Sequence, residues 1–392
     1  MTPGAHALLR FLAGKTLAGR VSVHLPDGSV EVLSGALEGP EASIQVHRPR
    51  LARRLLLGGA NGFADAYIEG DFDTPDLTAL LLFGAANQAA WGELLEGRWP
   101  LRLAARLAHR LRPNSKRGSR RNIAAHYDLG NAFYRLWLDR SLTYSSAVFD
   151  QESQDLEKAQ DNKYRLICDT AGIGENDRVL EIGCGWGAFA SYAARERKAK
   201  VTAITISPAQ FAAASQRIQE EGLGERVEIL QRDYRDLQGR YDAIASIEMI
   251  EAVGERYWPT FFSKLRDLTA PGRRVALQAI TIDEAHFERY RRSADFIQRH
   301  VFPGGMLPST QVVEEQARKS GLFVVESSSY AHDYAQTLAL WRQRFDAAWQ
   351  EISALGFDPR FRRMWTYYLS YCEAGFRSRR IDLKQFALST SN

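Results

Sequence analysis

The run Val179-Leu-Glu-Ile-Gly-Cys-Gly-Trp-Gly-Ala-Phe-Ala190 constrains this 392-residue chain more than any other stretch. An apolar, β-branched segment from Arg178 to Ile182 ends in an acid-x-Gly-x-Gly-x-Gly turn, and a small-residue helix pattern follows. A turn without side chains lets the backbone approach a ligand closely at the carboxyl end of the first strand of a doubly wound sheet. The plainer alternative is a tight strand-to-helix turn that binds nothing.

Further predicted strands fall at Val201–Ile206, Val227–Gln231, Asp242–Glu248 and Arg274–Ile280, separated by helices such as Pro208–Glu220 and Arg256–Leu268. Strands alternating with helices imply an α/β fold with a mostly parallel sheet. A last strand, Phe323–Ser328, follows the helix Thr310–Lys319, and the aromatic-rich tail from Tyr334 to Lys384 reads as helical. Dinucleotide enzymes also carry Gly-rich turns, so glycine alone does not select the ligand. Glu181, two residues before Gly183, and the compressed spacing of Gly183, Gly185 and Gly187 favour S-adenosylmethionine over a nicotinamide cofactor. The expected fold is therefore a Rossmann-like class I methyltransferase domain with a smaller N-terminal mixed domain.

In that smaller domain, Val21–Leu25 and Val30–Leu33 flank Pro26-Asp27-Gly28, a hairpin signal. Ile44–His47 adds a strand, Gly62–Asp73 reads as a polar connection, and Leu77–Ala90 reads as a helix. Arg98, Arg102, Arg106 and Arg110 share one face of a helical pattern that ends before a break at Pro113–Ser119. This places the domain boundary near residue 115, giving residues 1–115 and 116–392. An apolar fraction of 45% supports a real core. Cys168, Cys184 and Cys372 are far apart with no C-x-x-C pattern, which fits free thiols in a reducing compartment and argues against a metal. The longest charge-free apolar stretch, Leu77–Gly92, is short of the ~20 residues a spanning helix needs. The expectation is a cytoplasmic protein whose membrane contact is peripheral.

Ligands in open α/β sheets sit beyond the carboxyl ends of the strands, so the residues closing each strand are the candidates. Thr205, Ser207 and Gln210 follow the second strand, neutral groups where most methyltransferases place an acid for the ribose hydroxyls. Asp233, Tyr234 and Arg235 follow the third. The acid can accept from an adenine amine and the ring can stack. Any one of these alone would pass for an ordinary loop residue. The fourth strand ends in Ser246-Ile-Glu-Met-Ile-Glu251, with Glu248 and Glu251 three apart at a strand–helix junction. Two carboxylates there perturb each other's protonation and supply a base. The competing reading makes Glu251 a helix N-terminal acid favoured by the dipole.

Beside the glycine turn, Asn122-Ile-Ala-Ala-His-Tyr-Asp-Leu-Gly-Asn131, Leu142-Thr-Tyr-Ser-Ser-Ala147, Asp233-Tyr-Arg-Asp236, Phe302-Pro-Gly-Gly-Met-Leu-Pro-Ser309 and Tyr334-Ala-Gln-Thr-Leu-Ala-Leu-Trp341 resemble the cyclopropane fatty acid synthase family. Ala64-Asp-Ala-Tyr-Ile-Glu-Gly-Asp71 resembles a motif in the extra N-terminal domain of its full-length bacterial members. The resemblance implies methyl transfer from S-adenosylmethionine to the cis double bond of a phospholipid acyl chain, with bicarbonate as base. By position it implies that Tyr144, with Ser145, and Gly183, Gly185, Thr205, Gln210 and Tyr234 hold the cofactor. It implies dimers through the N-terminal domain, although the oligomeric state itself is open.

The anion cage is where the chain departs from the family. The family's Cys is Ser146, its His is Gln278, and the His after its Glu is Ala252, while Glu251, Ile280 and Tyr334 are retained. Glu248 stands where the family has a small residue. A carboxylate and an anion 4 Å apart repel by roughly 4 kcal/mol at an effective dielectric of 20. Glu248 is therefore expected to replace bicarbonate as the base, whose retention is an open question. The position of the base bears on the product: a methyl- or methylene-branched chain is favoured over ring closure. Met249, Trp186, Tyr290 and Tyr330 either line the acyl channel or belong to ordinary core.

Arg98–Arg121 carries nine basic and no acidic residues, which suits an anionic membrane surface; a solvated helix and linker is the alternative. Arg360, Arg362 and Arg363 form a weaker second candidate. A nucleic-acid methyltransferase would share the cofactor turn, but no Asn-Pro-Pro-Tyr or Pro-Cys motif follows the fourth strand, so no nucleic acid is expected. A catalytically inactive lipid-binding homologue is the third reading.

Overall fold

The computed structural model describes residues 3–92, 129–151 and 155–390. The basic segment Arg98–Arg121, the Pro113–Ser119 break and most of the Asn122–Asn131 motif lie outside the described residues. In chain order the first elements are α1 (Pro3–Ala13), β1 (Ala18–His24), β2 (Val30–Ser34), β3 (Leu37–Val46), α2 (Arg50–Ile68), β4 (Phe72–Asp73), α3 (Leu77–Ala86) and α4 (Gln88–Trp91). They build a four-stranded sheet of order β2-β1-β3-β4. The Pro26-Asp27-Gly28 turn closes β1 onto β2, with Gly28 at φ 87° and Ser29 N–H donating to Asp27 Oδ1 at 3.0 Å. β3 is longer than its apolar end suggests, because Gly39 and Pro40 disguise its outer half as a turn. The stretch from Gly62, expected to be a connection, is largely helix. A Cβ at Gly62 would lie 1.9 Å from the Arg54 carbonyl oxygen, so this glycine serves close backbone approach rather than a loop.

The remaining elements are α5 (Asn131–Arg135), α6 (Leu156–Ala171), β5 (Arg178–Ile182), α7 (Ala188–Glu196), β6 (Lys200–Thr205), α8 (Pro208–Glu220), β7 (Val227–Gln231), β8 (Tyr241–Ile247), α9 (Ile250–Val253), α10 (Trp258–Leu268), β9 (Thr269–Ile282), α11 (Glu284–Arg291), α12 (Phe296–His300), α13 (Thr310–Ser320), β10 (Phe323–Ser329), α14 (Ala331–Ala347), α15 (Trp349–Ala354), α16 (Pro359–Arg377) and β11 (Ile381–Ser389). The chain forms two compact units. The first holds the described residues up to 92 together with Arg289–Val301 and Phe345–Arg380. The expected single cut near residue 115 thus differs from the observed grouping, in which two later segments join the N-terminal unit.

Within the first unit, α16 packs on α2 and α3. Thr78 Oγ1 donates to Glu373 Oε2 at 3.0 Å, and Arg363 donates to the Tyr67 carbonyl while stacking on that ring at 4.2 Å. Asp71, fully buried, is clamped by Arg48, Arg50 and Arg54. Arg360, Arg362 and Arg363 pair with Glu69, Asp346 and Asp73, so this second basic candidate is engaged by acids of its own unit. Tyr290 also belongs to this unit.

The second unit carries a seven-stranded sheet of order β10-β11-β9-β8-β5-β6-β7. β9, β8, β5, β6 and β7 pair in parallel, as the alternation implies. β11 inserts antiparallel between β9 and β10, so the tail does not stay helical to Lys384. Small side chains (Ala190, Ala193, Ala203, Ala243, Ala276) bring α7 close to the sheet around Val179 and Val201. The helix starts follow capping rules: Ser207 accepts from Gln210 N–H ahead of Pro208, and Asp155 accepts from Lys158 N–H. Strand order reverses beside β5, which puts a crevice at its carboxyl end. Among the described residues no helix is long and apolar enough to cross a membrane.

Candidate active site

The glycine turn lies at that crevice. Gly183, Gly185 and Gly187 all have positive φ (88°, 52° and 83°). A Cβ on Gly183 would meet Met249 Cγ at 2.8 Å, whereas one on Gly185 would meet nothing within 4 Å. The turn is therefore tight on its inner side and open at its tip, as a backbone cradle for a bound nucleoside requires. Glu181 is buried behind it and accepts from the Ala190 N–H at the start of α7. Burial raises its carboxyl to about 8, and Oε2 has no hydrogen-bond partner among the described residues. Thr205 Oγ1 donates to Gln210 Oε1 at 2.8 Å and accepts from Ser207 N–H, so the three neutral groups after β6 form one unit. Asp233 is held on both oxygens by Arg235, and the Tyr234 ring packs edge-on against Phe261 at 5.5 Å. The acid expected to meet an adenine amine thus already carries a partner of its own. No cluster of His, Cys, Asp or Glu able to hold a metal occurs among the described residues.

Three of the expected cage positions, Ser146, Gln278 and Tyr334, meet on the Glu248 side chain. Glu248 Oε1 accepts from Ser146 N–H at 2.9 Å and from the Gln278 amide at 2.8 Å, while Oε2 accepts from the Tyr334 hydroxyl at 2.6 Å. Gln278 is fixed in turn by the Gln385 amide at 2.9 Å, so the unexpected β11 supplies a second layer of support. Burial pushes the Glu248 carboxyl up, and the Tyr334 hydrogen bond heads the interactions opposing it. Its backbone sits at φ 49°, a left-handed conformation that costs a β-carbon residue roughly 1–3 kcal/mol. Glu251 Oε1 accepts from Ile280 N–H at 2.6 Å, and its Oε2 has no hydrogen-bond partner among the described residues. Burial, then the Glu248 charge, raise Glu251 to about 8. The repulsion between them couples the two carboxylates in titration.

Tyr144 sits in an aromatic cluster with Tyr134 (5.4 Å), Trp137 (5.6 Å) and Trp341 (5.4 Å). Trp186 is core, its indole N–H donating to Asn131 Oδ1. Met249 packs under Gly183, and Tyr330 is half-buried against Ser328. Sequence reasoning missed α6. Gln160 Nε2 donates to the Ser145 carbonyl at 3.0 Å and Lys163 Nζ to Ser145 Oγ at 2.8 Å, both from fully buried side chains. The signal was legible: Ala159, Lys163 and Ile167 share one helix face, and a lysine on an apolar face asks for a partner.

The profile of the mycolic acid cyclopropane synthetase family matches residues 114–386. Tuberculostearic acid methyltransferase UfaA1 of Mycobacterium tuberculosis is 40% identical over 397 residues, covering 94% of this chain and 89% of that protein. Cyclopropane-fatty-acyl-phospholipid synthase of Escherichia coli K12 is 34% identical over 349 residues, covering 89% of this chain and 88% of that protein. Among solved structures, mycolic acid cyclopropane synthase CmaA1 complexed with SAH and CTAB aligns at TM-score 0.65 and 30% identity, over 69% of this chain and 97% of that one.

Proposed function

Because this chain belongs to the mycolic acid cyclopropane synthetase family, we propose that it methylates the cis double bond of an unsaturated phospholipid acyl chain and that Glu248 takes the proton the product must lose. The enzyme is an S-adenosylmethionine-dependent methyltransferase acting on fatty acyl chains. The open turn at Gly183–Gly187 fits that donor, and Tyr144, Thr205, Gln210 and Tyr234 are the residues that would hold it. Bound there, S-adenosylmethionine supplies an electrophilic methyl group.

One methyl arrives and one proton leaves, so the group that accepts the proton decides what bond closes. The observation that carries the reading is the triple hydrogen bond on Glu248. Its carboxylate takes the Ser146 N–H, the Gln278 amide and the Tyr334 hydroxyl for itself. An external anion would lose those donors and meet repulsion of roughly 4 kcal/mol at 4 Å. Glu248 is thus a built-in base in place of bicarbonate. Proton loss straight from the new methyl closes a ring, whereas a hydride shift to the cation before Glu248 takes the proton leaves a methyl- or methylene-branched unsaturated chain, the product favoured here.

Ring closure is the second reading; retention of Glu251, Ile280 and Tyr334 supports it. Docking on an anionic membrane surface is supported by the charge of Arg98–Arg121. Lipid mass spectrometry of cells expressing the protein tests the function. A mass gain of one methylene unit on unsaturated phospholipid chains, with fragmentation showing a branch, is expected. A cyclopropane fragmentation pattern assigns ring closure, and unmodified lipids overturn the activity.

A further inference from the structure

Lys163 has no place in the chemistry described so far, yet it is fully buried one residue away from the cage. Its Nζ donates to Ser145 Oγ at 2.8 Å, and the next residue's N–H donates to Glu248. Gln160, one turn earlier, holds the Ser145 carbonyl, so α6 grips this corner from both sides of one residue. The same corner is braced elsewhere: Ala147 N–H donates to Thr337 Oγ1, and Thr143 Oγ1 meets the Tyr164 hydroxyl. Neither brace carries a charge.

We propose that Lys163 is a positioning residue for the reaction, fixing the Ser145–Ser146 corner and supplying the positive charge that keeps Glu248 ionised. This rests on the reading of Glu248 as the base. A buried carboxylate stays charged only with a compensating charge or several donors. The charged and titratable groups around the pair are Asp139, Asp161, Tyr164, Glu181, Glu251 and Tyr334, with Lys163 Nζ over the Tyr164 ring at 4.2 Å. Burial raises Glu181 and Glu251 to about 8, which favours their neutral forms. Lys163, lowered by burial to about 7, is held up first by the Glu248 charge. Among these groups, Lys163 is the one that can carry a positive charge, and its Nζ stands on the residue next to the Glu248 donor.

The test uses the full-length enzyme with Lys163→Met, Lys163→Gln, Glu248→Gln and the Lys163→Met/Glu248→Gln double variant. Lys163→Gln keeps a donor for Ser145 but no charge. In both Lys163 variants the acid limb of kcat should move to higher pH by about one unit or more, with activity rising ~tenfold per pH unit until it levels. In denaturant unfolding at pH 7, the double variant should be more stable than the two single changes add to, because no lone buried charge is left. A limb that stays in place in Lys163→Gln overturns the charge role, and an additive cycle overturns the pairing. An active Glu248→Gln enzyme removes the base reading, and the unfolding cycle then still decides whether Lys163 and Glu248 form a pair.

Discussion

Glu248→Gln isolates the charge of the proposed base from its shape. The amide oxygen can still accept from Ser146 N–H and Gln278, and the amide N–H can donate to the Tyr334 hydroxyl once that hydroxyl turns. Three charge-assisted hydrogen bonds become neutral ones, a loss of about 1 kcal/mol each. Against this, the desolvation penalty of a buried carboxylate, several kcal/mol for an ion, disappears. The two effects offset, and Lys163, already lowered by burial to about 7, can give up its proton rather than stay a lone cation, so the variant should fold and keep its affinity for the methyl donor. Removing a positioned base lowers turnover by ~10²–10⁴, equivalent to about 3–5 kcal/mol on the barrier. The assay follows methylated lipid in degassed buffer, with and without added bicarbonate, beside calorimetry of donor binding. Wild-type turnover should not respond to bicarbonate. A variant holding roughly a third or more of wild-type turnover, in an enzyme that requires bicarbonate, would refute the assignment.

Gly183→Val should abolish donor binding, since a β-carbon there meets Met249 at 2.8 Å in a backbone at φ 88°; unchanged affinity by calorimetry would move the site elsewhere. Glu251→Gln mimics the neutral form of a carboxyl raised to about 8. A raised carboxyl lends stability that is complete below its unfolded value near 4.5 and is lost as pH climbs to the folded value. The variant should therefore gain on wild type progressively between pH 4.5 and 8 and hold that gain above; parallel Tm curves across this window would count against the shift. Reversing Arg102 and Arg106 to glutamate should weaken sedimentation with anionic liposomes, and wild-type binding should fall with salt. Salt-insensitive binding, unchanged in the variant, would exclude the segment as the docking surface.

The parallel half of the sheet was legible because its strands are short apolar runs closed by glycine or polar residues: Gly183 after β5, Ser207 after β6, Asp233 after β7 and Glu248 after β8. Glu248 was legible as the residue closing the fourth strand, whereas Ser146, Gln278 and Tyr334 were legible only through the resemblance. β11 was hidden because its inward-facing Gln385 breaks the apolar pattern, and that glutamine is buried only because Gln278 satisfies it. Lys163 was legible as a lysine on an apolar helix face in need of a partner, but its partner was not: nothing local says that Ser145, 18 residues earlier, will sit over α6. The extra segments of the first unit escaped notice because the chain leaves that unit and returns to it.

That return has a consequence for how the protein is made. The contacts that close the N-terminal unit join Thr78 to Glu373 and Tyr67 to Arg363, nearly 300 residues apart. A nascent chain cannot form them until residue 377, the end of α16, has left the ribosome. The first unit to be synthesised is thus among the last to be completed, and the apolar faces of α2 and α3 wait uncovered through most of translation. Chains of this kind depend on high contact-order closure and on protection of the waiting segment. A stop codon ahead of α16 would therefore leave the N-terminal unit, though fully translated up to α3, exposed to proteases.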